Sequence, residues 1–305
     1  MQIKTIKKVI SNKIEDWLST IADIKLRDKV RKNYLVSGGS ITSLLLNTEV
    51  NDYDVYIQDI DVLVELANYY CPNLVLDGRK KDELIKLHYK SKYGHSYLDC
   101  LEDYLTGDLS SQTVRLKTLK DNQIKLNIPS EGIKKDLLSV EGQPPAKYQV
   151  AFLSQNAISL TDDLQIVLRF SGTVEEIHKT FDFIHVTNYF THDKGLVTNI
   201  DALHCIITKS LKYQGSLYPL TSIIRMKKFL LRGWSINAGE ILKIMFQISE
   251  LNLKSPEILE EQLIGVDIAY FAKLISVLRN TKEEVSSSFL NTLIDKIFND
   301  EESGN

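Results

Sequence analysis

Cysteine is scarce in this chain of 305 residues, which contains only three. Cys71, Cys100 and Cys205 are far apart, and no two of them form a C-x-x-C pair. This spacing argues against a disulfide framework and against the paired ligands of a structural zinc site. The composition therefore indicates a reducing compartment, and we expect a cytoplasmic protein.

Long hydrophobic runs and a strong net charge are also missing. No apolar stretch approaches the roughly 20 residues needed to span a bilayer, and the first 17 residues lack the apolar core of a signal peptide. The formal net charge is −3, so the chain has no global basic field. We expect no membrane partner, and any nucleic-acid binding must come from a local basic patch.

The sequence does contain enough apolar residues, 43%, for a sizeable core in one large or two ordinary domains. Up to about residue 199, helical and strand-like patterns alternate. Apolar positions at 3–22 recur at helical spacing. The other patterns predict helices at 40–46, 60–70 and 174–180 and strands at 33–36, 53–57, 164–170 and 181–187.

Beyond residue 199 the pattern is helical. The predicted helices are 201–213, 219–232, 237–250, 256–263, 266–279 and 284–299. We therefore predict two domains, 1–199 and 200–305, with an insertion at about 75–150 in the first.

Two alternating aspartates, Asp52 and Asp54, flank a tyrosine at the start of a predicted strand. Side chains at alternate strand positions share a face, and two adjacent carboxylates repel each other unless a cation lies between them. Oxygen ligands favour Mg²⁺ or Mn²⁺, and Mg²⁺ is commonly held by one or two carboxylates together with substrate phosphates. The pair therefore predicts a metal site that also binds a phosphorylated substrate.

A glycine turn precedes these aspartates by a dozen residues. Gly38 and Gly39 allow the backbone to approach a ligand closely, and Ser40 is predicted to begin a helix. A helix N-terminus directs free N–H groups and a positive dipole end at an anion. Gly38, Gly39 and Ser40 are thus candidates for holding the phosphates of a nucleoside triphosphate.

The segment V-S-G-G-S, followed after eleven residues by D-Y-D-V, resembles the signature of the DNA polymerase beta-like nucleotidyltransferase superfamily. The resemblance covers about 25 residues. It implies an α+β fold, with a nucleotidyltransferase-like mixed sheet and flanking helices, followed here by an all-helical domain. It also implies a metal-dependent enzyme that transfers an NMP from an NTP to an acceptor hydroxyl with two Mg²⁺ or Mn²⁺ ions.

The superfamily uses a third carboxylate on a neighbouring strand, and Asp182 in the apolar run TFDFIHVTNYF is the candidate. A carboxylate embedded in apolar sequence needs a partner or a metal. Asp182 therefore either completes the metal site or pairs with an arginine such as Arg169. Asp99 is a second candidate for the third acid.

The residues from 153 onward also look like a nucleotidyltransferase-like family of tailed bacteriophages, which suggests a phage origin. The outline GGSITSLLLN…DYDV is similar to tRNA CCA-adding enzymes and bacterial poly(A) polymerases, which implies ATP or another NTP as donor and an RNA 3′ end as acceptor. The Arg-Asp pair that those enzymes carry after the glycines is replaced here by Thr42 and Ser43. A protein or a small molecule remains an alternative acceptor.

The helical part supplies further candidates. Lys209 and Tyr213, spaced i, i+4 on a predicted helix, are candidates for nucleotide binding, because superfamily helical domains often contribute such groups. Arg225, Lys227, Lys228 and Arg232 form a basic patch that either binds a nucleic-acid backbone or is a solvated helix face.

The histidines are interpreted differently. His178, His185 and His192 are spaced by seven residues with no cysteine nearby, and we interpret them as structural or surface residues. Two further hypotheses stay open for the whole chain: a catalytically silent nucleic-acid-binding protein, and a helical interaction protein.

Overall fold

The computed structural model describes residues 2–71, 75–77, 115–120, 123–127, 133–134, 147–262, 269–280 and 286–302. The chain divides into two compact units. Unit 1 comprises Met1–His178 and Val186–Ile206, and unit 2 comprises Lys179–His185 and Ile207–Asn305. Most of the predicted insertion, together with Asp99 and Cys100, lies outside the described residues. The domain boundary near residue 199 stays a prediction.

Unit 1 opens with a helical pair. Helix α1 (Ile3–Ser19) confirms the predicted N-terminal helix and buries an apolar face that includes Ile10, Ile14 and Trp17. The next helix, α2 (Ile24–Asn33), was not predicted, because it is rich in charged residues. Its start carries a clear signal, however, since the Asp23 side chain accepts hydrogen bonds from the backbone N–H groups of Lys25 and Leu26.

Strands and helices alternate from β1 to α4, as predicted, and further strands and helices follow. They are β1 (Tyr34–Ser37), α3 (Gly39–Leu46), β2 (Tyr53–Ile57), α4 (Ile60–Tyr70), β3 (Val75–Asp77), β4 (Arg115–Lys120), β5 (Gln123–Asn127), β6 (Ile133–Lys134), β7 (Val150–Leu153), β8 (Ala157–Leu160), β9 (Leu164–Val167), α5 (Val174–His178), β10 (Tyr189–Thr191), β11 (Gly195–Val197) and α6 (Ile200–Thr208). Helix α6 extends from unit 1 into unit 2.

An eight-stranded mixed sheet, in the order β11-β10-β1-β2-β9-β8-β7-β6, is the centre of unit 1. Strand β1 is antiparallel to both β2 and β10, whereas β2 is parallel to β9. Strands β3, β4 and β5 form a separate sheet. The α+β class, with a mixed sheet and flanking helices, is therefore confirmed.

The two central strands are held by the core. All four residues of β1 are buried, and Val55 and Ile57 of β2 are fully buried. One apolar cluster contains Tyr34 and Val36 of β1, Val55 and Ile57 of β2, and the inner faces of α1 and α4. Because close-packed interiors resist displacement, the ends of β1 and β2 are firmly positioned.

Unit 2 is mainly helical. It contains β12 (Ser210–Leu211), α7 (Pro219–Leu231), β13 (Ser235–Ile236), α8 (Ala238–Ser249), α9 (Pro256–Gln262), α10 (Ala269–Asn280) and α11 (Ser287–Glu302). The short strands β12 and β13 pair in parallel. In the described part of the chain, no helix combines the length and apolarity required to cross a membrane.

Two predicted elements are wrong. The predicted strand at 181–187 is a single β-bridge at Phe183 followed by a 3-10 helix, Ile184–Val186. Strand alternation fails there because the consecutive residues Phe181, Asp182 and Phe183 are all buried. The predicted helix at 201–213 ends at Thr208, because Lys209 adopts a left-handed conformation with φ of 47°.

Candidate nucleotide-binding site

The glycine turn connects β1 to α3 in unit 1. Gly38 has φ of 101° and ψ of −150°, a conformation available essentially only to glycine. Its N–H group donates to the Val186 carbonyl oxygen at 3.2 Å. Helix α3 begins at Gly39, one residue earlier than predicted, and no side chain caps its N-terminus. The turn thus presents the positive end of an uncapped helix.

Gly38 lies directly against Asp54. A Cβ atom at Gly38 would be 2.9 Å from Asp54 Oδ2, whereas a Cβ at Gly39 would have open space within 4 Å. The structure therefore brings the glycine turn and the second aspartate together. Of the two glycines, only Gly38 is required by both its backbone conformation and the space around it.

Ser40 lies in the first turn of α3. Its side chain is 2% exposed, and within the described residues its hydroxyl oxygen has no hydrogen-bond partner. An unsatisfied buried hydroxyl costs about 1–3 kcal/mol. Rotation of this hydroxyl toward an incoming phosphate oxygen would remove that cost.

The two predicted metal ligands occupy different positions. Asp52 precedes β2 and is exposed, whereas Asp54 lies within β2 and is half-buried. Asp52 is partly desolvated although solvent still reaches it, and this desolvation raises its pKa. The nearby Asp163 carboxylate makes a smaller contribution in the same direction. The Tyr53 N–H group donates to the Asp163 carbonyl oxygen at 2.8 Å, which explains why this third carboxylate lies near the pair.

Asp163 was not found from the sequence. It lies in the turn between β8 and β9 with φ of 52°, and the parallel register aligns Tyr53 with Leu164 and Asp54 with Gln165. The position that neighbours Asp54 on β9 is therefore an amide. The two consecutive aspartates Asp162 and Asp163 were visible in the sequence. Only the pairing of β2 with β9 shows that Asp163 lies near Asp52.

Asp182 lies in unit 2 and is 4% exposed. The Ser216 hydroxyl donates to its Oδ1 at 2.7 Å, and the Arg225 guanidinium donates to its Oδ2 at 2.6 Å. The arginine partner that the sequence analysis considered is thus present, although it is Arg225 and not Arg169. The role of Asp182 as third metal ligand stays a prediction.

Lys209 and Tyr213 do not share a helix face, because α6 ends before them, and that prediction is wrong. Lys209 is exposed. Tyr213 is buried: its hydroxyl donates to Gln247 Oε1 at 2.5 Å, and burial raises its pKa to about 12. Their proposed contact with a nucleotide remains a prediction.

The four residues of the basic patch differ in exposure and in their partners. Arg225 forms an ion pair with Asp182, and its side chain is 39% exposed. Lys227, Lys228 and Arg232 are exposed on α7 and just beyond its end. These three cations remain candidates for contact with a nucleic-acid backbone.

The three histidines have distinct surroundings. His185 is fully buried against the rings of Phe229 and Trp234, with centroids 4.6 and 4.5 Å away, and burial lowers its pKa to about 3. His192 is exposed. His178 lies 2.9 Å from the Ser37 hydroxyl, an interaction that sequence reasoning missed because the residues are 141 positions apart.

A family model described as "Gabija anti-defense 2 family protein" matches residues 8–209, more than half of the chain. The chain belongs to this family. The match includes the glycine turn, both aspartates of D-Y-D and Asp182. No curated protein matches the sequence significantly.

This Gabija anti-defense 2 family member also resembles solved structures of CCA-adding enzymes. A Thermotoga maritima enzyme complexed with tRNA gives a TM-score of 0.36 at 14% identity, covering 94% of this chain and 60% of that one. A Bacillus stearothermophilus enzyme in complex with CTP gives 0.35 at 9% identity, covering 86% and 51%. The chain thus spans about half to three fifths of these structures, and a likeness at this level assigns no activity.

The carboxylates of the predicted site provide some, but not all, of the ligands that a two-metal centre would need. Within the described ranges, no group of three or more His, Cys, Asp or Glu side chains has a geometry suited to a metal ion. Asp52 and Asp54 nevertheless offer carboxylate oxygens next to a glycine cradle, and Mg²⁺ commonly binds one or two carboxylates plus substrate phosphates. The pair fits one ion held jointly with a triphosphate, and a second ion would need a third carboxylate.

Proposed function

We propose that this family member is a metal-dependent nucleotidyltransferase that transfers an NMP from an NTP to an acceptor hydroxyl. The contact of Gly38 with Asp54 at the uncapped start of α3 carries the proposal. It joins a helix N-terminus, which favours phosphate, to a carboxylate of the type that holds Mg²⁺. A catalytically silent protein would have no need to retain both.

The roles of the site residues follow from this arrangement. Gly38, Gly39 and Ser40 bind the β- and γ-phosphates through backbone N–H groups and a hydroxyl. Asp52 and Asp54 would hold Mg²⁺ or Mn²⁺, which when bound neutralises phosphate charge and supports displacement at phosphorus. The two-ion form requires a third acid, for which Asp182 is the candidate, with Asp99 as the alternative.

In the proposed reaction, the acceptor oxygen attacks the α-phosphorus and a new P–O bond forms. The bond between the α-phosphorus and the bridging oxygen breaks, and pyrophosphate leaves with that electron pair. A carboxylate accepts the hydroxyl proton. The contribution of the chain is to align the triphosphate and to stabilise its charge, which are the main sources of catalysis in this class of reaction.

The acceptor is proposed from two observations. The motif outline and the exposed Lys227, Lys228 and Arg232 favour an RNA 3′ end, with a tRNA as the first choice. The family description favours a component of Gabija defence, modified on a protein or small-molecule hydroxyl. Because the family match covers most of unit 1, we propose that NMP transfer counteracts Gabija defence and rank the RNA acceptor second.

The test is transfer of label from each α-³²P-NTP, with Mg²⁺ or Mn²⁺, to purified Gabija proteins, total RNA and total host protein. Wild type is compared with Asp54→Asn, and Asp59→Asn provides a matched surface control in the same unit. We expect label on one pool that is lost in Asp54→Asn and retained in Asp59→Asn. Label that persists in Asp54→Asn, or no NTP binding by the wild type, would contradict the proposed function.

A further inference from the structure

The Ser37 hydroxyl lies at the end of β1, immediately before Gly38, and is completely buried. Its oxygen is 2.9 Å from the Asn188 carbonyl oxygen, 3.3 Å from that of Val186 and 2.9 Å from His178 Nε2. Carbonyl oxygens only accept, so a hydroxyl hydrogen directed at His178 would leave both carbonyl oxygens facing lone pairs of Ser37 Oγ. The arrangement that avoids this directs the hydroxyl hydrogen to a carbonyl, and His178 Nε2 then carries a hydrogen and donates it to Ser37 Oγ.

The position of the His178 ring is well defined. It packs edge-on against Tyr189, with ring centroids 5.7 Å apart, and Tyr189 is the residue paired with Ser37 between β1 and β10. Burial, opposed by a smaller effect of Glu175, lowers the pKa of His178 to about 4. At neutral pH the imidazole is thus neutral, and this arrangement places its one N–H hydrogen on Nε2.

The segment that receives these bonds is anchored in turn. The Gly38 N–H group also donates to the Val186 carbonyl oxygen. Asn188 Oδ1 accepts from the Asn199 N–H group at 2.9 Å, and Asn199 Nδ2 donates to Thr187 Oγ1 at 3.1 Å. Residues 186–188 therefore form a fixed support for the start of the glycine turn.

We propose that His178 is a positioning residue for the phosphate-binding turn. Through Ser37 it holds Gly38 and the first turn of α3 in the orientation that receives the triphosphate. His178 contacts no reacting atom, and its effect is exerted entirely through the turn. This inference rests on the proposed function and adds a residue that the motif does not contain.

Two substitutions separate the hydrogen bond from the packing of the ring. His178→Phe retains a planar ring but cannot donate, whereas His178→Gln places an amide N–H near the position of Nε2. His192→Phe is the matched control, because His192 is exposed. Ser37→Ala removes the same bond from the other side, and adding His178→Phe to it should have no further effect on binding.

The readouts are Mg²⁺–NTP affinity and, without nucleotide, hydrogen–deuterium exchange of a peptide spanning residues 34–42. We expect His178→Phe to weaken affinity about tenfold, the size of one hydrogen bond, and to accelerate exchange in this peptide. His178→Gln should restore affinity to within about threefold of the wild type, as expected when a comparable neutral hydrogen bond is re-formed. His192→Phe should match the wild type in both.

Wild-type exchange and wild-type affinity in His178→Phe would overturn the proposal. Weaker binding caused by general unfolding is recognised by accelerated exchange across all of unit 1, and that result would also overturn a specific role. If the wild type binds no NTP, the proposed function fails and the triphosphate role fails with it. The exchange difference then still decides whether His178 anchors the turn.

Discussion

Asp54 and Asp182 were both predicted to bind metal, yet they have opposite surroundings. Asp54 is half-buried on β2, with one carboxylate oxygen over the Cα of Gly38 at an uncapped helix start. Asp182 is almost fully buried, and its two oxygens accept hydrogen bonds from Ser216 and Arg225. The two carboxylates lie in different units, and each is suited to a different task.

The surroundings of Asp182 show how protein partners can satisfy a buried carboxylate. Asp182 connects the segment 179–185 to the helical part of its own unit, since Ser216 precedes α7 and Arg225 lies within it. The Asp182 carbonyl oxygen also accepts from the Gln214 N–H group at 3.0 Å. A charge satisfied in this way stabilises a local structure, whereas Asp54 lies beside the glycine turn, where we propose that a cation and a phosphate bind.

Gly38→Ala should have the largest effect. It tests whether Asp54 occupies the space in which a Cβ of residue 38 would lie. Alanine is strained at a φ of 101°, and its Cβ would be 2.9 Å from Asp54 Oδ2. We expect a loss of about 3 kcal/mol in the free energy of unfolding and loss of NTP binding. Urea unfolding and NTP titration measure the two effects.

Gly39→Ala is the matched control for this prediction. Gly39 is the first residue of α3 and has open space around its Cα. We expect its stability to stay within about 0.5 kcal/mol of the wild type, so that any loss of NTP affinity reports contact with the ligand. Equal destabilisation by both substitutions would contradict the steric argument.

Asp182→Asn should have the second largest effect, on stability. The amide loses its charge-assisted bond and leaves the Arg225 guanidinium without its carboxylate. Because Arg225 is 39% exposed, we reduce the usual cost of breaking a buried pair to about 2 kcal/mol. The same substitution at the half-buried Asp54 should cost less stability than at the almost fully buried Asp182.

A double-mutant cycle with Arg225→Met makes this prediction sharper. If Asp182 serves mainly as the partner of Arg225, the two single losses in unfolding free energy will be strongly non-additive. Lys227→Met, on the same helix but exposed, provides the control. A stable Asp182→Asn protein that binds NTP but transfers no label would instead support the metal-ligand role.

Protonation of a single histidine should have the smallest effect per pH unit, and it acts in both units. His178 and His185 have folded pKa values near 4 and 3, below the value of about 6.5 in an unfolded chain. Between these limits the unfolded state binds more protons, so stability falls as pH decreases through about 6.5. Each histidine contributes up to about 1.4 kcal/mol per pH unit.

Urea unfolding at pH 7 and pH 5 measures this loss. Compared with the wild type, His178→Gln and His185→Phe should each show a smaller loss of stability between the two pH values. The comparison within each pair cancels the contributions of all other titrating groups. An unchanged pH dependence in both variants would mean that neither imidazole is kept neutral by the fold.

Local sequence patterns predicted the elements around the glycine turn well. β1, α3, β2 and α4 lie within one or two residues of their predicted bounds, because glycine, helical periodicity and strand alternation all act over short distances. The helix α2 was missed because its charged residues conceal the buried positions Leu26 and Val30. The N-cap Asp23 could have revealed it.

The partners of the site residues were not predictable in the same way. Ser216 and Arg225 are 34 and 43 residues from Asp182, and His178 is 141 residues from Ser37. Lys209 was assigned to a helix because nothing in its sequence neighbourhood indicates a left-handed residue. Tertiary packing decides these features, and a single sequence contains no record of which distant residues meet.

The pairing of β1 with β10 has a consequence for how the protein is made. Ser37 and Asn188 are 151 residues apart, and at about 5–20 residues per second a ribosome needs roughly 8–30 seconds to synthesise the intervening chain. Until β9 and β10 emerge, the strands bearing the glycine turn and D-Y-D have open edges. A nascent or truncated chain that ends before residue 188 should therefore lack the nucleotide binding that we propose, and it would depend on chaperones to keep those edges from aggregating.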